Sequence, residues 1–243
     1  MSGHSHARTV KSTKDASAKK RSTHFAKVNR LILVAIKEGG PNPDTNSQLR
    51  AAIDKGRTFN MPKDNIEKTI KRASGELEKQ KLESFTFEAY GPGKIAIMIE
   101  GITDNRNRAL GEVKQKLNRY NGKLVQKGSI NWKFERKGYI SIDLDEQEES
   151  LKDKDALEMM AIEAGADDVN WYENILEIYV DPQNTDSTKQ ALEKEGAKIK
   201  SFNLEWKPSE TMEVSEKEKE TCLKLFDDLD DSDDVQEVYS NLA

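Results

Sequence analysis

The chain has 243 residues, enough for more than one hydrophobic core, with 34% charged residues against 35% hydrophobic. Its most apolar run, Leu31 to Ile36, falls far short of the ~18 residues a membrane helix needs, so no membrane span is expected. The single cysteine, Cys222, excludes an internal disulfide and points to a reducing, cytoplasmic compartment; with no histidine near it, it reads as a buried structural thiol and not as a nucleophile.

The net charge of −5 hides a strong asymmetry. Residues 1–82 hold 18 Lys and Arg against 8 Asp and Glu, a net of +10, whereas residues 205–243 hold 4 against 13, a net of −9. A basic front end suits a polyanion, and an acidic back end repels one.

Residues 1–21 read as a basic arm, carrying Arg8, Lys11, Lys14, Lys19, Lys20 and Arg21 with almost no large apolar side chains, so they cannot fold alone. A mitochondrial transit peptide has a similar composition. A helix follows from about Ser22 to Glu38, with Phe25, Val28, Leu31, Ile32, Ala35 and Ile36 at helical spacing and Lys27, Arg30 and Lys37 largely outside that stripe. Gly39-Gly40 ends it. Asp44 or Thr45 is expected to cap a second helix running to about Gly56, with Leu49, Ala52 and Ile53 inward and Arg50 outward. Pro62 opens a third, closed by Ser74-Gly75, with Ile66, Ile70 and Ala73 inward and Lys63, Lys68, Lys71 and Arg72 outward. Residues 22–82 are therefore expected to form a three-helix bundle.

Beyond it the period changes to two. Phe85, Phe87 and Ala89 alternate, Gly91-Pro92-Gly93 turns the chain, and Ile95 to Ile99 forms a second strand. A helix over Asn105 to Tyr120 and a strand near Ser129 to Glu135 follow. From Gly138, strands at Tyr139–Leu144, Val169–Trp171, Ile175–Val180 and Ile199–Trp206, with helices at Asp153–Ala164 and Thr185–Glu195, give a β-α-β-β-α-β order. The tail adds a strand at Met212–Val214, a helix over Ser215–Leu229 and a strand at Val235–Tyr239. The expected fold is α+β and multidomain: the arm and bundle, a discontinuous α/β domain over 83–137 and 207–243, and a ferredoxin-like domain inserted at 138–206.

No chemistry-bearing constellation stands out. His4-x-His6 lacks the further ligands of a metal site, and the acidic run from Asp227 to Asp234 lacks calcium-loop spacing and reads as a solvated helix end. Tyr90-Gly91-Pro92-Gly93-Lys94 lacks the spacing and hydroxyl of a Walker loop and reads as a hairpin turn. In Asp104-Asn105-Arg106-Asn107-Arg108 the two arginines could hold a phosphate at a helix N-terminus, but a capping role for Asp104 or Asn105, with the arginines paired to nearby acids, is the preferred reading. No catalytic residues, metal or cofactor are expected, and the chain reads as a non-enzyme.

The segments Met1-Ser2-Gly3-His4-Ser5, Lys19-Lys20-Arg21, Gly39-Gly40-Pro41-x-Pro43, Asn46-x-x-Leu49-Arg50, Asn60-Met61-Pro62-Lys63-Asp64-Asn65-Ile66, Tyr90-Gly91-Pro92-Gly93, Thr103 to Arg108, Gly128-Ser129 and Asp233 to Tyr239 resemble the YebC/PmpR family in order along the whole chain. The resemblance implies a helical N-terminal domain and two α/β domains around a cleft, and a mature N-terminus at Met1. It implies a probable transcriptional regulatory protein that binds DNA. It also implies kinship with mitochondrial translational activators of a cytochrome oxidase subunit and with factors acting on ribosomes slowed at proline-rich stretches. Two departures are His6-Ala7 where the family has Lys-Trp, and Lys94 where it has glycine.

Two functions share the same basic surface. The first is a ribosome-associated translation factor gripping rRNA; the second is a DNA-binding transcriptional regulator. Expected nucleic-acid contacts are Arg8, Lys11, Lys14, Lys19, Lys20, Arg21, Lys27, Arg30, Arg50, Lys63, Arg106 and Arg108. No helix with evident base-reading residues supports sequence-specific readout. A cleft-based enzyme or small-ligand protein is the third alternative, with no catalytic set behind it. A monomer is compatible with the sequence.

Overall fold

The computed structural model describes residues 18–76 and 82–243. N-terminal helices are followed by two small antiparallel sheets. The chain divides into two compact units, one built from the described residues up to Phe134 together with Pro208–Ala243, the other from Glu135–Lys207. Among the described residues no helix is long and apolar enough to cross a membrane.

In the first unit, helices α1 (Ala18–Gly39), α2 (Ser47–Thr58) and α3 (Lys63–Glu76) form the bundle. Val28, Ile32, Ala35 and Ile36 fall on one face of α1 and close a core with Leu49, Ala52, Ile53, Met61, Ile66 and Ala73. The cap of α2 is Asn46, not Asp44 or Thr45. Its buried side chain accepts from the Leu49 N–H at 3.0 Å and donates to the carbonyls of Ala35 (2.7 Å) and Gly40 (2.8 Å). The amide offers an acceptor oxygen and two N–H donors, so one residue starts α2 and satisfies the end of α1.

Strands β1 (Glu83–Tyr90), β2 (Ala96–Thr103), β3 (Lys123–Val125) and β8 (Val235–Ser240) make a sheet in the order β3-β1-β2-β8, antiparallel throughout. One sheet face, with Phe85, Phe87, Ala89, Ile97 and Ile99, packs on Ala109, Val113 and Leu117 of α4 (Arg106–Arg119) and on Cys222, Leu225 and Leu229 of α7 (Glu216–Asp230). A bulge sets Gly101 against Val235, where any side chain would collide with the Phe85 ring and the Asp234 carbonyl. Between β1 and β2 the Gly91–Lys94 segment is a tight turn, with Gly93 and Lys94 both at positive φ.

Of the expected strand at Ser129–Glu135 only Phe134 and Glu135 lie in a strand, the start of β4 (Phe134–Asp143), and the residues before them form a loop with one 3-10 turn, Asn131–Lys133. The buried Glu88 carboxylate accepts the N–H groups of Gly128 (2.6 Å) and Ile130 (2.7 Å), so this backbone wraps a side chain instead of joining a ladder. The expected Met212–Val214 strand is a single parallel bridge to Leu242.

The second unit comprises β4 (Phe134–Asp143), which runs unbroken through Gly138, then α5 (Lys154–Glu163), β5 (Asp168–Tyr172), β6 (Ile175–Val180), α6 (Thr185–Lys194) and β7 (Ile199–Pro208). The strand order β5-β6-β4-β7 and the β-α-β-β-α-β sequence are those of a ferredoxin-like sheet. Ile140, Ile142, Leu176, Ile178 and Val180 pack on Leu157, Ala161 and Leu192 of its helices.

Candidate nucleic-acid interface

The structure divides the expected cations into two groups. Arg8, Lys11, Lys14 and the side chain of Lys19 lie outside the described residues.

The first group is held by the chain itself. Lys27, 4% exposed, donates to the Asp230 carboxylate at 2.7 Å and the Asp230 carbonyl at 2.6 Å. Arg30 pairs with Asp234 at 3.0 Å and donates to the Asp233 carbonyl. Lys55 pairs with Glu237. From the other side, Arg108 bonds Asp234 at 2.9 Å and Asp104 at 2.7 Å, while Lys116 and Arg119 hold Asp228. Arg50 donates to the carbonyls of Pro43 (3.1 and 3.2 Å) and Asp44 (3.0 Å), stapling the turn before α2.

These contacts correct two expectations. Lying outside the apolar stripe of α1 does not put Lys27 and Arg30 in water, because the corner between α7 and β8 packs there. The acidic run is accordingly not only a solvated helix end: Asp228, Asp230 and Asp234 each hold a cation distant in sequence. Lys27, Arg30, Arg50 and Arg108 are thus engaged with acceptors of the chain itself.

Asp234 is the centre of this arrangement, with Thr103 donating to it at 3.1 Å beside both arginines. Burial works against its charged form. The hydrogen bonds from Arg108 and Arg30, the Arg30 charge and the Thr103 hydroxyl outweigh that burial and hold its pKa below the ordinary value. His24 stacks on Phe59 nearby, ring centroids 4.3 Å apart and nearly parallel. Burial, with Lys27 and Lys55 adding and Asp230 opposing, holds the imidazole pKa below its usual value.

The second group faces water. Lys20 and Arg21 are exposed on the first turn of α1. On α3, Lys63, Lys68, Lys71 and Arg72 are exposed. The Lys63 side chain is 86% exposed and only loosely paired with Glu67 at 3.5 Å, a surface contact worth about 0–1 kcal/mol. Arg106 is exposed at the start of α4 with its guanidinium 5.4 Å from the Phe87 ring centre. Its neighbours match the preferred capping reading: the Asn105 side chain accepts from the Arg108 N–H at 3.1 Å, and Arg108 pairs with acids. The α3 cations recur on the solvent side of an amphipathic helix, a pattern already visible in the sequence.

Cys222 is fully buried in the sheet–helix core, and burial pushes its thiol up to about 11, as fits a structural role. Among the described residues no cluster of three or more His, Cys, Asp or Glu could hold a metal ion.

Comparison with known proteins accounts for nearly the whole chain. Residues 5–76 match the model of the TACO1/YebC protein N-terminal domain, and residues 82–242 match that of the TACO1/YebC second and third domain. A probable transcriptional regulatory protein of Halothermothrix orenii is 43% identical over 242 residues, covering 99% of this chain and 94% of the relative. One of the same name from Pseudothermotoga lettingae is 43% identical over 241 residues, covering 99% and 93%. The crystal structure of a conserved hypothetical protein from Aquifex aeolicus superposes with a TM-score of 0.84 at 39% identity, covering 92% of this chain and 90% of that one.

Proposed function

The chain belongs to the TACO1/YebC family, and on that footing we propose that it is a non-enzymatic, nucleic-acid-binding regulator of gene expression that acts in the cytoplasm as a ribosome-associated translation factor. The observation that carries this reading is the set of exposed cations on α3 and at the start of α1. Lys and Arg there neutralise phosphates and release counterions without needing to read bases. The arm cations Arg8, Lys11, Lys14 and Lys19 extend this basic set along the sequence. Folded rRNA offers dense phosphate to such a surface.

A second reading is favoured by the names of the relatives: a transcriptional regulator using the same surface on duplex DNA. Sedimentation with ribosomes at low and high salt, beside gel shifts on promoter DNA, separates the two. Salt-sensitive co-sedimentation with no preference among DNA sequences supports the translation factor. A preferred duplex site that survives competitor DNA overturns it in favour of the second reading.

A further inference from the structure

From Val113 to Phe134 the chain carries six cations, Lys114, Lys116, Arg119, Lys123, Lys127 and Lys133, and no acid. This second basic segment lies outside the helical bundle, within a part of the sequence that is acidic on balance. Lys116 and Arg119 are held by Asp228, but Lys123 and Lys127 stand exposed. In the same segment Trp132 is 69% exposed, the most exposed large hydrophobic side chain among the described residues. An indole left in water forgoes the burial that usually places tryptophan inside a fold or an interface.

The ring is nevertheless held in place. Its Nε1–H donates to the Ser129 carbonyl at 3.0 Å, and the Lys133 ammonium sits 4.6 Å from the ring centre. In the same loop Ile130 is fully buried, and the Glu88 carboxylate takes the N–H groups of Gly128 and Ile130. A carboxylate buried in the sheet thus fixes the loop that presents an open aromatic face beside lysines.

We infer that the Gln126–Lys133 loop is a binding site for single-stranded nucleic acid, with a base stacked on Trp132 and neighbouring phosphates met by Lys127 and Lys133. Stacking on an aromatic ring between cations suits any base and needs no hydrogen-bond code. The local charge favours a nucleic acid over a protein partner as the occupant. The inference rests on the nucleic-acid reading above and adds a base-contacting site to its phosphate-contacting one.

The test uses the full chain and two fluorescently labelled probes, a short oligoadenylate and an abasic phosphodiester strand of equal length. Trp132→Ala is expected to weaken oligoadenylate binding about tenfold, to leave the abasic strand unaffected, and to be rescued largely by Trp132→Phe. Oligoadenylate binding unchanged by Trp132→Ala would overturn the site, leaving the indole as a protein-docking anchor and the bundle surface untouched. An equal loss toward both strands would likewise overturn base stacking. Failure of the unaltered protein to bind oligoadenylate would also overturn this site, whereas the nucleic-acid reading itself falls only if ribosome co-sedimentation and the duplex gel shifts both fail.

Discussion

Arg30, on the first helix of the bundle, and Asp234, immediately before the last strand, form an ion pair at 3.0 Å, and the same carboxylate is shared with Arg108 of α4. Three elements far apart in sequence therefore meet at one buried charge. Removing one partner of such a group leaves the other uncompensated, which costs more than the pair itself contributes. Asp234→Ala is expected to destabilise the chain by about 3 kcal/mol in chemical denaturation. Arg30→Ala should cost less, because Arg108 still satisfies the carboxylate. A double-mutant cycle should give a coupling of about 1 kcal/mol; additive effects would show that the pair carries no coupling.

Asp234 also sets an acid sensitivity. Its folded pKa lies below the ordinary carboxylate value, so its contribution is complete above about 3.9, the unfolded value, and is lost as pH falls through the folded one. Stability measured down to pH 2–3 should drop less steeply in Asp234→Asn than in the unaltered chain. Parallel profiles would show that this carboxylate does not govern the acid limb.

His24 acts at milder pH. Its folded pKa is depressed, so the neutral ring stacked on Phe59 contributes fully above about 6.5 and progressively less as pH falls below it. His24→Gln should lose part of the slope of stability against pH on the acid side of neutrality, as read by urea midpoints. An unchanged slope would assign it to other groups.

Asn46 should be sensitive to conservative change. Asn46→Asp keeps the acceptor for the Leu49 N–H but replaces the donor to the Ala35 and Gly40 carbonyls with a charged oxygen. A loss of about 2 kcal/mol is expected. Asn46→Asp as stable as the unaltered chain would mean that the cap alone matters.

Cys222 should resist alkylation in the native protein at neutral pH, since its thiol is buried and its pKa is raised to about 11. Modification by iodoacetamide should become complete only in denaturant, as followed by intact mass. Rapid modification of native protein would show that α7 opens readily from the sheet.

What the sequence made legible follows the range of the forces involved. Val28, Ile32, Ala35 and Ile36 announce α1 by spacing alone, and the alternation of Phe85, Phe87 and Ala89 announces β1, because both patterns are local. The pairing of Lys27 with Asp230 spans 203 residues and leaves no local trace. Lys27 and Arg30 therefore read as solvent-facing when the fold turns them onto the tail. The same limit explains the loop at Gly128–Ile130, whose path depends on Glu88 forty residues earlier. The exposed cations of α3 were legible because an amphipathic helix places its polar side by sequence alone. The basic segment around Trp132 was countable too, but charge taken over the whole remainder of the chain conceals it.

The exposed cations of α3 are expected to meet phosphate, and the salt dependence of RNA binding measures this most directly. The apparent affinity of the full chain should fall linearly with salt on logarithmic axes. Replacing Lys63, Lys68 and Lys71 together with alanine should weaken binding to every RNA sequence alike and flatten that slope by about 0.7 per lost phosphate contact. A triple variant with the slope and affinity of the unaltered chain would contradict the account.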